Sequence, residues 1–257
     1  MASKSATRFR YYSAAMRRAR RHSWRWLLIL SAIGVGVVAA LLVYEAWRWP
    51  DIGGLARRNP ASTAFIDQYR ARERAQGRTP QLAWTWVPYG AISPNLKRAA
   101  LVAEDIKFFS HRGFELEELR SSVEQAIEDG TAPRGASTIT QQLAKNLWLS
   151  PSRNPLRKLK EAMLAWRLEH HLTKRRILEL YLNVAEFGPG VYGAEAASRR
   201  YFDKSAAELS EHEAAQLAAS LPNPRAWHPG ATGPVYRRYV ETIKRRMAKA
   251  EFPAGQI

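Results

Sequence analysis

The stretch Ser93–Asp105, SPNLKRAALVAED, decides how most of the chain is read. Serine followed by proline puts a side-chain acceptor at an N-cap and a residue without an N–H at N1, where none is needed. Leu96, Ala100 and Ala103 then recur at i, i+4 and i+7, the spacing of one inward helical face. The helix runs out on two carboxylates, Glu104 and Asp105, just ahead of Phe108, Phe109, His111 and Gly113. A carboxyl group at an apolar helix end, beside aromatics, loses hydration, and a raised pKa makes it a candidate acid or base. A solvated helix end is the plain alternative for the same residues.

Working outward, the sequence reads as helical from Ser93 nearly to its end. Ser205-x-x-Glu208 and Ser210-x-x-Glu213 are capping boxes. Gly188, Gly190 and Gly193 mark a turn, and Pro222, Pro224 and Pro229 mark a loop. Upstream, Pro50, Gly53-Gly54 and Pro60 break the chain, residues 64–76 suit a short helix, and WTWVPYGAI (84–92) suits an extended segment.

The net charge is +17 over 257 residues, and it divides unevenly. Residues 1–25 carry eight of the 40 basic side chains and no acid, while residues 46–257 hold 32 basic and 22 acidic ones. Between them, Trp26–Tyr44 is 19 residues without a charge. As a helix it would rise roughly 28 Å, about the thickness of bilayer hydrocarbon. Arginines crowd one end and Tyr44, Trp47 and Trp49 the other, so the positive-inside rule puts the tail in the cytoplasm and the remainder outside. A cleaved signal peptide is the rival reading, but the apolar run is long and no A-x-A-like site follows. The basic tail is read as contacting anionic lipids, not nucleic acid. There is no cysteine, which excludes disulfides, zinc-thiolate sites and cysteine nucleophiles.

Two further helical stretches carry unusual polarity. In Arg134–Asn146, RGASTITQQLAKN, the side chains of Thr138, Gln141, Gln142 and Lys145 fall on one face. Helix capping accounts for Ser137 and Thr138, but not for two glutamines and a lysine. In RKLKEAMLAWRLEHHL (157–172), Leu156, Leu159, Met163 and Trp166 form an apolar stripe. Glu161 shares the other face with Ala165, Leu168 and Leu172, yet has Arg157, Lys158 and Lys160 as sequence neighbours. That is a structural ion pair or part of an anion site. Lys174, Arg175 and Arg176 open the next helix against its dipole, which suggests solvation. His170-His171 read as surface residues, and His212-Glu213 lacks the second histidine of a zinc-protease helix.

Together these stretches resemble the peptidoglycan glycosyltransferases. Glu104–Gly113 matches that family's E-D-x-x-F-x-x-H-x-G motif, and Arg134–Asn146 its G-A-S-T-I-T-Q-Q-x-x-K-N motif. Arg157-Lys-x-x-Glu161 resembles the third motif and Lys174-x-x-Ile177-Leu-Glu-x-Tyr-Leu-Asn183 the fourth. FGPGVYGAEAASRRYF and LAASLPNPRAWHP look like its later segments, so the likeness runs from about Trp86 to Pro229. With no S-x-x-K and no K-T-G, the chain resembles the monofunctional biosynthetic branch, without transpeptidase activity.

The resemblance implies a mainly α fold, with a lysozyme-like two-lobed glycosyltransferase domain (86–251) preceded by one transmembrane helix. Residues 1–25 would be a cytoplasmic tail, 26–44 the span and 45–85 a juxtamembrane segment. The protein would then be a single-pass protein of the cytoplasmic (inner) membrane with a periplasmic or extracellular catalytic domain. It implies polymerisation of lipid II into β-1,4 glycan strands, with inversion at the donor C1 and release of undecaprenyl pyrophosphate. Glu104 would be the base, Lys145, Arg153 and Arg157 a clamp on the pyrophosphate, and Glu161 the second carboxylate, orienting the clamp or binding a metal. Asp105, Phe108, His111, Ser137, Thr138, Gln141 and Gln142 would contact substrate. The resemblance requires no cofactor; it leaves room for a divalent cation (Mg or Mn) at the pyrophosphate and for other cell-wall synthesis proteins as partners. Residues 115–130 are only loosely like the family and would include the membrane-facing part of the small lobe. A peptidoglycan-cleaving lytic transglycosylase and a non-catalytic wall-binding scaffold are the competing readings.

Overall fold

The computed structural model describes residues 28–36, 49–111, 137–150, 155–231, 233–253 and 255–257. The expectations for the tail 1–25, for most of the span 26–44, for Arg153 and for residues 115–130 lie outside these. The chain divides into two compact units, residues 1–50 and 51–257. In the first, residues 28–36 are helical and expose Leu28, Ile29, Leu30, Ile33 and Val35. Among the described residues no helix is long and apolar enough to cross a membrane.

The second unit is mainly helical. Its helices are α1 (Ala64–Ala75), α2 (Pro94–Glu104), α3 (Ile139–Trp148), α4 (Pro155–His171), α5 (Lys174–Val184), α6 (Ala194–Phe202), α7 (Glu211–Ser220) and α8 (Pro234–Met247). Three short strands, β1 (Ala83–Trp84), β2 (Glu186–Gly188) and β3 (Val191–Tyr192), form one sheet in the order β1-β3-β2. Helix starts follow local chemistry. The Ser93 hydroxyl accepts from the Asn95 N–H at 3.1 Å with Pro94 behind it, and both capping boxes form. The box at Ser205 opens a 3-10 turn, Ala206–Glu208, and the one at Ser210 opens α7.

The central helix is α2. Leu96 and Ala100 are buried as expected, but Ala99, Leu101, Val102 and even Lys97 are buried too, while Ala103 is half-buried. The helix is therefore covered around most of its circumference. The small side chains of α7 (Ala214, Ala215, Ala218, Ala219) let it pack close to α2, and α8 adds the stripe Tyr236, Val240, Ile243 and Met247. On the other side α3 packs on α4 and α5. Burying so much apolar surface on one helix fixes the position of its last residue, Glu104.

The segment WTWVPYGAI is extended only in part. β1 runs parallel to β3, pairing Ala83 with Val191 and Trp84 with Tyr192, whereas Tyr89–Ala91 is a 3-10 turn. Asn183 holds this segment down: its Oδ1 accepts from the Val87 N–H and its Nδ2 donates to the Val87 carbonyl, both at 2.9 Å. The glycine-marked turn is the β2–β3 hairpin. Gly190 has φ +73°, and a Cβ there would lie 2.3 Å from the Gln81 carbonyl and 2.6 Å from the Tyr69 hydroxyl. Only glycine fits both requirements.

Two expectations are corrected. Met163 and Trp166 are 46% and 56% exposed, so they do not form a core stripe; α4 instead buries Glu161, Leu164, Ala165 and Leu168. A helix can carry two apolar stripes, and the neighbouring elements cover the one with Leu164, Ala165 and Leu168. Lys174, Arg175 and Arg176 are not merely solvated. Lys174 pairs with Glu169 at 2.8 Å, and Arg175 lies over the Tyr89 ring at 4.9 Å. Arg176 pairs with Glu179 and donates to the Leu55 and Arg58 carbonyls at 2.8 and 3.0 Å. These bonds offset the unfavourable dipole by tying α5 to the start of the unit.

Candidate active site

Glu104 is the last residue of α2, where the carbonyl end of the helix already disfavours a second negative charge. Burial raises its pKa above the ordinary carboxylate value. The Gln142 amide and the Lys145 ammonium act in the opposite direction, and Asp105 adds to the rise. Gln142 Nε2 donates to Glu104 Oε2 at 2.7 Å. The other end of the same amide, Oε1, accepts from the Tyr181 hydroxyl at 3.0 Å, which fixes the amide's orientation. Burial, then Glu104 and Asp105, hold the Tyr181 phenol well above its usual range, so it stays a donor. The outcome is a partly desolvated carboxyl group on a rigid support, the arrangement general base catalysis requires.

Asp105, one residue on, is spent on architecture. Its carboxylate accepts from the backbone N–H of Ile139 at 3.0 Å and faces His111 Nε2 at 2.9 Å. It thereby fastens the start of α3 to the end of α2. Phe108 is fully buried beneath the Lys174 ammonium, 4.3 Å from its ring centre, and meets Phe109 edge-on at 5.2 Å. Thr138 is the N-cap of α3, accepting from the Gln141 N–H at 3.3 Å. Gln141 is buried, and its Oε1 has no hydrogen-bond partner among the described residues.

A second carboxylate lies across α3. Glu161 is 3% exposed and accepts from Arg157 Nη1 at 2.9 Å and from Lys158 Nζ. Lys158 also donates to the Ser137 hydroxyl at 3.2 Å. Lys145 lies within the electrostatic reach of both carboxylates. Burial lowers its pKa, Glu161 and Glu104 raise it, and Lys158 and Arg157 lower it again. Three cations thus surround one buried carboxylate, an excess of positive charge suited to an incoming anion. Among the described residues no three His, Cys, Asp or Glu side chains come together as metal ligands. With Glu161 engaged by Arg157 and Lys158, and Asp105 by His111 and a backbone N–H, this donor set does not fit a protein-chelated divalent ion. No step below is routed through one.

Gln142 and Lys145 also line a cavity of about 290 Å³, with Phe65, Asn146, Tyr181, Ala185, Glu186, Leu221, Pro222, Asn223, Pro224 and Arg225 contributing the rest. Glu186, Asn223 and Arg225 were not singled out from the sequence as site residues. The signals available were an acid ahead of the glycine turn and polar residues within the proline loop. The expected face of α3 divides: Gln142 and Lys145 reach the cavity, while Thr138 caps and Gln141 packs. His170 and His171 are exposed, as expected, with His170 stacked on Trp166 at 5.7 Å.

Residues 67–248 match the family described as Transglycosylase. The chain is 46% identical over 237 residues to a biosynthetic peptidoglycan transglycosylase of Thiobacillus denitrificans, covering 91% of this chain and 99% of that relative. It is 45% identical to one of Chromobacterium violaceum (88% and 99% covered) and 44% identical to one of Bordetella pertussis (89% and 96%).

Proposed function

The chain belongs to the transglycosylase family and is a peptidoglycan glycosyltransferase, and on that premise we propose that it polymerises lipid II by direct displacement. Glu104 removes the proton of the acceptor's 4-hydroxyl as that oxygen attacks C1 of the donor. The C1–O bond to undecaprenyl pyrophosphate breaks on the opposite face, so the configuration inverts. The leaving group is an anion that needs charge, not a proton. Lys145, Arg157 and Lys158 supply it, with Glu161 holding the latter two in place. Arg153 would complete the clamp. The observation that carries this reading is the separation of roles across α3: a neutral amide on Glu104 at 2.7 Å, and cations around Glu161. A glycan-cleaving enzyme has no use for the cationic half.

The lysozyme-like, two-lobed arrangement and the domain limits 86–251 belong to the same proposal, as does a single-pass anchor at residues 26–44. The uncharged run and the apolar side chains exposed by residues 28–36 support the anchor. A lipid-linked substrate is best met by an enzyme held outside the membrane and next to it. The test is lipid II polymerisation by full-length protein in detergent, wild type beside Glu104→Gln, with products challenged by lysozyme. Lysozyme-sensitive polymer from the wild type alone supports the reading. Shortening of preformed glycan without polymerisation would replace it with the lytic alternative.

A further inference from the structure

The last turn of α2, which carries Glu104, is held from outside its own helix. A helix leaves the carbonyls of its final turn without donors of its own. The Asp105 N–H reaches the Leu101 carbonyl at 2.9 Å, but the next two carbonyls are met from α8. Arg246 Nη1 donates to the Val102 carbonyl at 3.3 Å, and the Tyr239 hydroxyl to the Ala103 carbonyl at 3.4 Å. The arrangement is reciprocal. Arg98 Nη2, in α2, donates to the Met247 and Ala250 carbonyls at the end of α8, at 3.0 and 3.1 Å. Each helix therefore closes the C-terminal end of the other. α8 is itself backed on two sides: the Tyr236 hydroxyl donates to the Gln216 carbonyl of α7 at 2.9 Å, and Trp227 of the proline loop lies against Tyr239 at 5.9 Å. Tyr239 and Arg246 lie beyond Pro229, outside every stretch that resembles the family, and the reaction above uses neither.

We propose that Tyr239 and Arg246 are positioning residues of the reaction: by holding the Ala103 and Val102 carbonyls they keep the last turn of α2 wound and Glu104 in place. The inference rests on Glu104 being the base of the polymerisation proposed above, and neither residue takes part in proton transfer. Helix ends fray unless their carbonyls are satisfied, and a frayed turn moves the residue it carries. The groups that face Glu104 are Asp105 from its own helix end, Gln142 and Lys145 from α3, Tyr181 from α5 and Tyr239 from α8. Burial, then Glu104, hold the Tyr239 phenol above its usual range against the pull of Arg246, so Tyr239 remains a donor. Once the turn loosens, water reaches Glu104. Burial is the largest cause of its raised pKa, so that pKa falls, and a less basic carboxylate out of position is a poorer base.

The experiment compares full-length wild type, Tyr239→Phe, Arg246→Met and Arg246→Lys in lipid II polymerisation. Equilibrium binding of lipid II blocked at its 4-hydroxyl, which cannot serve as acceptor, counts the competent sites in each preparation. Tyr239→Phe and Arg246→Met are each expected to lower kcat per competent site by about three- to tenfold, with the lipid II KM within about twofold of wild type. The acid limb of kcat/KM is expected to move to lower pH by about half a unit. Arg246→Lys keeps a cationic donor and should return kcat to within about twofold. Tyr239→Phe removes a single oxygen and Arg246 is exposed, so both variants should fold; if Arg246→Met does not, Tyr239→Phe decides. A merely structural role would show as fewer competent sites with kcat per site and the acid limb unchanged, and would overturn the proposal. A rise in KM at constant kcat, or an acid limb that stays in place, would do the same. Polymerisation retained by Glu104→Gln would instead overturn the reading on which the proposal rests.

Discussion

The side-chain amide of Gln142 bridges Glu104 and Tyr181, donating to the carboxylate at 2.7 Å and accepting from the phenol at 3.0 Å. This bond favours the ionised form of Glu104, against the burial that disfavours it. In Gln142→Leu the carboxyl is left to burial, and its pKa rises further. The acid limb of the kcat/KM profile moves to higher pH, and kcat/KM at neutral pH falls by about tenfold. A limb that stayed in place would remove Glu104 from the role of base.

Glu104 also makes a prediction about stability. Its folded pKa lies above the unfolded one, so the native state binds the extra proton. For an acid shifted upward, folding is favoured below the unfolded pKa, and that advantage is lost as pH rises through the folded value. At pH 7 the ionised group is therefore a net burden. Glu104→Gln is expected to raise the melting temperature at pH 7 by about 2–4 °C and by less near pH 4. Calorimetry at the two pH values checks the sign.

Removing Glu161 unfastens the clamp. In Glu161→Ala, Arg157 and Lys158 lose their common partner, and kcat should fall by about 100-fold with little change in the acid limb. The stability cost is expected to be small, about 1–2 kcal/mol, because Lys158 is half exposed and regains water. Steady-state kinetics alongside urea denaturation separates the two effects.

Gly190→Ala tests the hairpin. The substitution demands a positive φ from alanine and drives its Cβ into Gln81 and Tyr69. A loss of about 2–3 kcal/mol in urea denaturation is expected. Gly233→Ala, with open space around its Cβ, is the control and should change little.

Much of this could be read in the sequence because the determinants are local. The caps at Ser93, Thr138, Ser205 and Ser210 act within about one turn, and helical spacing alone sets Glu161 on one face with Ala165 and Leu168. What stayed hidden depended on distant partners. Arg176 reaches Leu55, 121 residues away in sequence, so its basic run looked solvated. Glu186 and Arg225 meet at one cavity only through the β2–β3 hairpin and the proline loop. Met163 and Trp166 misled because periodicity reports that a stripe is apolar, not which of two stripes another helix will cover. Of the four residues that spacing sets on one face of α3, Gln142 and Lys145 line the cavity, while Thr138 caps the helix and Gln141 is buried.

Lys145 feels both carboxylates at once, and this links the two halves of the reaction in time. Its positive charge lowers the proton affinity of Glu104. A diphosphate drawn to Lys145 would neutralise that field and leave Glu104 a stronger base than in the empty enzyme. The donor would then prime the proton acceptor on its own arrival, so that acceptors are activated only when there is something to attack. The signature is an acid limb at higher pH in kcat, which reports the loaded enzyme, than in kcat/KM, which reports the free one. Coincident limbs would mean that the two events are independent.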